Sequence, residues 1–279
     1  MRAPRCRGLP GSEPPKAIYR KVIGGSTTGP FVLGLDWNTK IVYYTRTMEI
    51  NQDNLISYED MLKAGTHFGR KKTVYNPQMA PYVYIVRDGI CIIDLLKTQT
   101  ELSNTIKFLK KTAENGGLML FVGLTKQSSG GIKELAEALN MPYVVDRWIG
   151  GTLTNFKIIN DRVKKLEEME KGLKTGAYDK YTKKERLMLT REMNKMATHF
   201  EGLKKLTRMP DVVFVSSLKE SALPLHESKK MGVTCVAITN TDSNPKSVDY
   251  VIPANDRSKK SVDLILDALK RELTAVTTI

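Results

Sequence analysis

From Ile56 onward the apolar positions alternate between short continuous runs and stripes at helical spacing. "ISYEDMLKAGTHFG" opens on Ser57, a helix N-cap residue, with Asp60 three positions later as a carboxylate variant of the capping box. "YVYIV" and "CIIDL" then flank Arg87-Asp88-Gly89, and two β-type runs around Asp-Gly predict a hairpin. In "TELSNTIKFLKKTAEN" the residues Leu102, Ile106 and Leu109 fall on one helical face, and Gly116-Gly117 ends the helix. "LMLFVG" and "PYVV" are predicted strands on either side of a helix in "IKELAEALN". Later, "PDVVFVSS", "VTCVAIT" and "VDYVIP" are predicted strands, with helices in "ALPLHESKKMG" and "SKKSVDLILDALKREL". Strands that are apolar at almost every position need cover on both faces, and strands alternating with helices make a parallel sheet. The expected fold class is therefore α/β, a three-layer parallel-sheet body of flavodoxin- or Rossmann-like type.

Between the two halves the period changes. Ile159, Val163, Leu166 and Leu173 follow helical spacing, "TGAYDKY" makes a turn, and Thr182 with Glu185 forms a capping box for a return helix. Leu189, Met193, Met196, Phe200 and Leu203 then repeat at four-three spacing, a heptad stripe. Two such stripes joined by a turn predict an antiparallel coiled-coil hairpin. Its other faces carry Lys164, Lys165, Lys171, Lys174, Lys183, Lys184, Arg186, Arg191 and Lys204, which fits either RNA contact or a solvated surface, with RNA contact the favoured reading. The expected organisation is a body of residues 56–153 and 208–279, an inserted hairpin at 154–207, and an N-terminal extension of residues 1–55. The extension begins "MRAPRCRGLPGSEPPK", rich in Pro, Gly and Arg and without periodicity, and is expected to be disordered. A transit-type leader and a natural start at Met48 are the alternatives for its origin.

Charge sharpens the picture. The formal net charge of +14 over 279 residues points first to a polyanion, and 41% apolar residues are enough for a sizeable core. No apolar run approaches the roughly 18 residues of a membrane span; of the polyanions, nucleic acid comes before an anionic membrane, and no membrane partner is expected. Cys6, Cys91 and Cys235 form no CxxC pair, so neither a disulfide framework nor a zinc site is supported, and no metal or cofactor is expected. The histidines His67, His199 and His226 stand in no catalytic constellation, and no serine stands in a G-x-S-x-G elbow. "FVGLTKQSSGG" sits between strand and helix as a dinucleotide fingerprint would, but only Gly123 matches the glycine pattern. Lys126 and the helix start there are suited to a phosphate, of a nucleotide or of a nucleic acid backbone alike.

Two segments carry the chemistry of RNA recognition. In "DRWIGGTLTNF", Arg147 offers a planar fork for phosphate or base. Gly150 and Gly151 allow close approach of another backbone, and Thr152, Thr154 and Asn155 supply short polar groups. Trp148 reads as a stacking platform or as a plug between sheet and hairpin; its apolar flanks favour the plug. In "GRKKTVYNPQMAP", Arg70, Lys71 and Lys72 stand with Tyr75 and Asn76 in a loop stiffened by Pro77 and Pro81.

"MLKAGTHFGRKKTVYNPQMAPYVYIVRDGICIIDLLKT", "LFVGLTKQ", "DRWIGGTLTNFK", "YTKKERLMLTRE", "MPDVVFV" and "VDYVIPAND" occur in one order. Together they resemble the small-subunit ribosomal protein S-two family of bacterial or organellar type, over about Ile56 to Leu273. The resemblance implies a structural, non-enzymatic constituent of the small ribosomal subunit that binds small-subunit rRNA near the head–body junction. It also implies neighbouring small-subunit proteins as partners, with the mRNA-binding protein S-one among the candidates, and no homo-oligomer. It places the protein in the ribosome of a bacterial cytoplasm or, alternatively, of a mitochondrion or plastid. Carried over by motif, the rRNA contacts are His67, Gly69, Arg70, Asn76, Pro77, Arg147, Gly150, Gly151, Thr152 and Asn155; the charge pattern adds Lys71, Lys72, Lys126, Lys183 and Lys184. The chain departs from the family pattern where His-Phe-Gly-His ends in Arg70, where Gly-Thr-Lys becomes Gly123-Leu124-Thr125, in "NTDSNP" (Asn240 to Pro245), and at Arg257 after Asp256. The rival reading is a nucleotide-binding α/β enzyme with a helical insertion.

Overall fold

The apolar strands pair as their composition demands. A computed structural model describes residues 55–175, 178 and 180–277; the expectations for residues 1–54 lie outside the described residues. Strands β4 (Met119–Val122), β5 (Tyr143–Val144), β6 (Val212–Val215), β7 (Thr234–Thr239) and β8 (Tyr250–Pro253) form a five-stranded sheet in the order β5-β4-β6-β7-β8, every neighbouring pair parallel. The first strand of this sheet lies inside and the order reverses between β4 and β6, the doubly wound arrangement in which that reversal opens a crevice.

Alternate residues of each strand face opposite layers. Met119, Phe121, Val212, Phe214, Val236 and Ile252 join one core with α1 (Tyr58–Ala64), α2 (Leu95–Glu114), α3 (Ser129–Ala138) and α7 (Lys259–Thr277). Leu120, Val122, Val213, Val215, Cys235 and Ala237 join a second core with α4 (Phe156–Lys174), the end of α5 (Lys183–Phe200) and α6 (Ala222–Met231). The three-layer α/β body is thus as the pattern predicts. Ser57 caps α1, its Oγ accepting the Glu59 amide, and Gly232 ends α6. No helix among the described residues is long and apolar enough to cross a membrane.

A second sheet was only partly legible. β1 (Phe68–Lys71), β3 (Ile90–Ile93) and β2 (Val83–Arg87) form a three-stranded antiparallel sheet in the order β1-β3-β2. The β2–β3 hairpin turns at Asp88 (φ 51°) and Gly89 (φ 74°), the double left-handed conformation that a two-residue hairpin loop requires. β1 lies in the segment read as a loop. Nothing in Phe68-Gly69-Arg70-Lys71 alternates; the strand forms because a partner edge is available. The Ile93 amide donates to His67 O at 2.8 Å and the Lys72 amide to Gly89 O at 2.8 Å. Beyond it, 3-10 helices of one turn at Lys72–Val74 and two turns at Pro77–Tyr82 replace the rest of the expected loop.

The helices α4 and α5 follow each other with the capping box in place. The Thr182 amide donates to Glu185 Oε2 at 2.9 Å, and the Glu185 amide returns to Thr182 Oγ1 at 3.4 Å. Ion pairs cross between the segments: Lys165 Nζ to Glu192 Oε1 at 3.1 Å, and Lys204 Nζ to Glu170 at 2.8 Å. At their base the two stripes join the second core beneath the sheet. Ile159, Val163, Leu166, Phe200 and Leu203 are part of that core, Met193 and Met196 pack against it, and Leu173 and Leu189 farther out are half-buried. Heptad spacing identifies an apolar face but not the surface that covers it.

Candidate nucleic-acid interface

"DRWIGGTLTNF" forms the connection from β5 to α4, and its shape is set by a residue from elsewhere. Glu227 of α6 is buried, and its carboxylate sits inside the turn. Oε1 accepts the Gly151 amide at 2.8 Å and the Trp148 indole Nε1–H at 3.1 Å; Oε2 accepts the Leu153 amide at 3.0 Å and the Thr154 amide at 3.3 Å. Burial pushes this carboxyl up, but the donors from Gly151, Trp148, Leu153 and Thr154 together outweigh it and hold the group below the usual glutamate value. Gly151 has φ 92°, a conformation a side chain would strain. Trp148 is buried in the second core, which makes it the plug. Thr152 is 1% exposed, and its hydroxyl donates to Ile149 O at 2.6 Å. Arg147, Gly150 and Asn155 are left on the outside, and Arg147 has no ion-pair partner among the described residues.

The second cluster hangs on the segment after β7. Arg70 N donates to Thr241 Oγ1 at 2.8 Å and Asn76 N to Thr241 O at 2.9 Å. Gly69 is required by contact: a Cβ there would stand 2.7 Å from both Cys91 O and Thr241 Cγ2. Asn76 caps the 3-10 helix that Pro77 begins, its Oδ1 accepting the Gln78 amide at 3.0 Å. Arg70 is mostly covered, its side chain 18% exposed, and Nε lies 3.4 Å from Asp242 Oδ2 in charge contact but without hydrogen-bond alignment. The Asp242 side chain is 2% exposed and also receives Lys219 Nζ at 3.1 Å. Burial lowers the His67 pKa, so its imidazole supplies no counter-charge near neutrality. Lys71 and Lys72 project outward, with no ion-pair partner among the described residues.

The remaining predicted contacts lie apart. Lys126 is exposed on the loop from β4 to α3. Lys183 and Lys184 begin α5, about 25 Å along the helix from Phe200 at 1.5 Å per residue. Beside Lys126 the crevice at the strand-order reversal holds a polar pocket of about 290 Å³ that includes Thr125, Ser217, Asp256 and Arg257. Its polar groups largely bond one another. Ser128 Oγ meets Thr125 Oγ1 at 2.8 Å and Ser216 Oγ at 2.7 Å; Asp256 accepts Ser217 Oγ at 2.7 Å and Asn240 Nδ2 at 2.8 Å. Among the described residues no group of three or more His, Cys, Asp or Glu is placed to hold a metal ion.

Sequence reading missed the two carboxylates that organise both clusters. Glu227 was legible in principle: it falls three positions after Pro224 and beside Ser228 on the buried face of α6, where an acid needs donors. Asp242 had no such signal, because its partner Arg70 is 172 positions away.

The fold and these surfaces define a cationic α/β binding protein whose buried polar groups brace loops instead of carrying out chemistry. The family profile for Ribosomal protein S2 matches residues 61–275, and the chain belongs to that family. It is 41% identical over 211 residues to the small ribosomal subunit protein uS2 of Thermus thermophilus, covering 76% of this chain and 82% of the relative. It is 39% identical over 213 residues to the uS2 protein of Dichelobacter nodosus (76% and 80% covered) and 41% over 212 residues to that of Phocaeicola vulgatus (76% of each). The family is structural and non-enzymatic, which removes the nucleotide-binding enzyme as a reading.

Proposed function

We propose that this chain, a structural constituent of the small ribosomal subunit, grips small-subunit rRNA through the exposed cations of the two braced clusters. Arg147 with Asn155 forms one contact, Lys71 with Lys72 the other, and Lys126, Lys183 and Lys184 extend the footprint. His67, Gly69, Arg70, Asn76, Pro77, Gly150, Gly151 and Thr152 act chiefly by shaping those loops. The observation that carries this is the division of labour in the turn after β5: Glu227 satisfies the backbone from inside, and Arg147 is presented outside with no ion-pair partner among the described residues. Cations held this way neutralise phosphates and release counterions, with loop shape fixing where they meet the RNA.

The finer placement follows the family resemblance. The contact lies near the head–body junction, neighbouring small-subunit proteins and the mRNA-binding protein S-one adjoin it, and the protein enters the particle as a single copy, in a bacterial cytoplasm or an organelle. Residues 56–153 and 208–279 make the body, and 154–207 an inserted coiled-coil hairpin whose root is fixed in the second core. The test is the triple variant Lys71→Ala, Lys72→Ala, Arg147→Ala. Its salt dependence of rRNA binding is expected to be shallower by about 2–3 in log–log slope, and on sucrose gradients at high salt it is expected to be depleted from the small subunit. Wild-type occupancy under those conditions overturns the assignment.

A further inference from the structure

An open pocket of about 330 Å³ is walled by elements that touch both clusters, and neither cluster explains it. One wall is α6 and the other is the segment after β7 from Asp242 to Ser247. These are the same two elements that brace the clusters: α6 holds the Arg147 turn through Glu227, and the segment after β7 holds Arg70 and Asn76 through Thr241. Leu223 at the head of α6 reaches the Arg147 turn directly, since a Cβ on Gly150 would meet its Cδ2 at 4.0 Å. RNA held at both clusters would thus lie against the two elements that wall this pocket.

The lining separates by chemistry. Leu218, Ala222 and Leu225 give an apolar surface, and Lys219, Lys229 and the imidazole of His226 stand around it. Lys229 is exposed and has no ion-pair partner among the described residues. Asn244 uses its Oδ1 on the Lys246 amide, leaving its Nδ2 as a donor. Asp242, the acid in the lining, has its side chain 2% exposed and neutralised by Arg70 and Lys219, so it disfavours a phosphate deep inside while leaving the rim positive. An apolar floor, an amide donor and a cationic rim match a flat base with its phosphate outside. The volume, at the low end for small-ligand pockets, suits one nucleotide.

We infer that this pocket receives a single unpaired nucleotide of the rRNA, its base against Leu218, Ala222 and Leu225 and its phosphate at Lys229. The inference rests on the rRNA-binding reading above and adds a specific subsite to it. A splayed base buried against apolar and ring surface is a usual way in which single-stranded RNA is held.

The test is ultraviolet cross-linking of small ribosomal subunits containing the full chain, followed by mass spectrometry of nucleotide–peptide adducts. An adduct on the peptide from Leu218 to Lys229 is expected. Ala222→Trp fills the pocket at an exposed position without changing charge. It should abolish that adduct, retain those near Lys71 and Arg147, and weaken full-chain binding to transcribed small-subunit rRNA roughly tenfold. Lys229→Gln, the gentler variant, should weaken binding severalfold. Adducts at Lys71 and Arg147 with none on α6, or undiminished affinity of both variants, overturn the pocket assignment and leave the broader reading standing. A peptide of another protein cross-linked into the pocket overturns it in favour of a protein partner. Absence of RNA adducts anywhere on the chain overturns both.

Discussion

The segments carrying Arg147, in the turn after β5, and Arg70, in strand β1, are each braced by a carboxylate, and the two carboxylates do opposite things. Glu227 spends its oxygens on the backbone amides of Gly151, Leu153 and Thr154 and on the Trp148 indole, and leaves Arg147 in solvent. Asp242 spends its charge on Arg70 itself and on Lys219, and Arg70 is largely covered. Similar ingredients, an arginine near a glycine with an acid beneath, give a cation available for a phosphate in one place and an internal brace in the other. Residue type does not decide whether an arginine can contact RNA; what its guanidinium already touches decides it.

The largest effect that would break this comparison is expected at Glu227. Replacing it by Ala strands several buried donors at once and should cost about 3 kcal/mol, given 1–3 kcal/mol for each unsatisfied buried group and partial relaxation. Urea unfolding of the full chain measures it. A loss below about 1 kcal/mol would mean that the turn keeps its shape without the carboxylate, and the contrast with Asp242 would fail.

The second effect sharpens the contrast by exchanging the two arginines. Arg147→Ala should leave unfolding nearly unchanged and weaken rRNA binding about fivefold, with the salt slope reduced by about 1. Arg70→Ala should lower stability by about 1–2 kcal/mol, since it leaves the covered Asp242 carboxylate with Lys219 as its one remaining ion-pair partner among the described residues. Its direct effect on RNA affinity should be the smaller of the two. Equal losses of affinity at both positions, with equal stability, would show that the covered guanidinium swings out to the RNA and that the two sites are alike.

The same contrast explains what the sequence could show. The parallel sheet was readable because β4 and β6 are buried at every position, and a continuous apolar run bounded by turn residues has few other readings. The hairpin between β2 and β3 was readable because Asp88-Gly89 demands left-handed backbone. β1 was not, because Phe68 to Lys71 becomes a strand only through an edge supplied by β3. Of the interface, the segments were legible and the roles within them were not. Thr152 and Asn155 look alike as short polar residues; one is sealed against Ile149 O and the other is exposed. The braces that make the difference come from α6 and from the segment after β7, at separations no local pattern records.

The smallest effect concerns acid. The Glu227 carboxyl is held below its ordinary value of 4.5 in the folded protein, so the unfolded chain takes up its proton first as pH falls. The stabilisation is therefore fully present above about pH 4.5 and disappears as pH drops through the lower folded value. Glu227→Gln has nothing to titrate and cannot show this component. Unfolding free energies between pH 6 and pH 3.5 should fall more steeply for wild type than for the variant, by less than one proton and hence under about 1.4 kcal/mol per pH unit. The difference between the two curves cancels the general repulsion of a chain that already carries a formal +14. Parallel curves would mean that the donors around Glu227 do not favour its charged form, and the turn would then be held by packing around Trp148 instead.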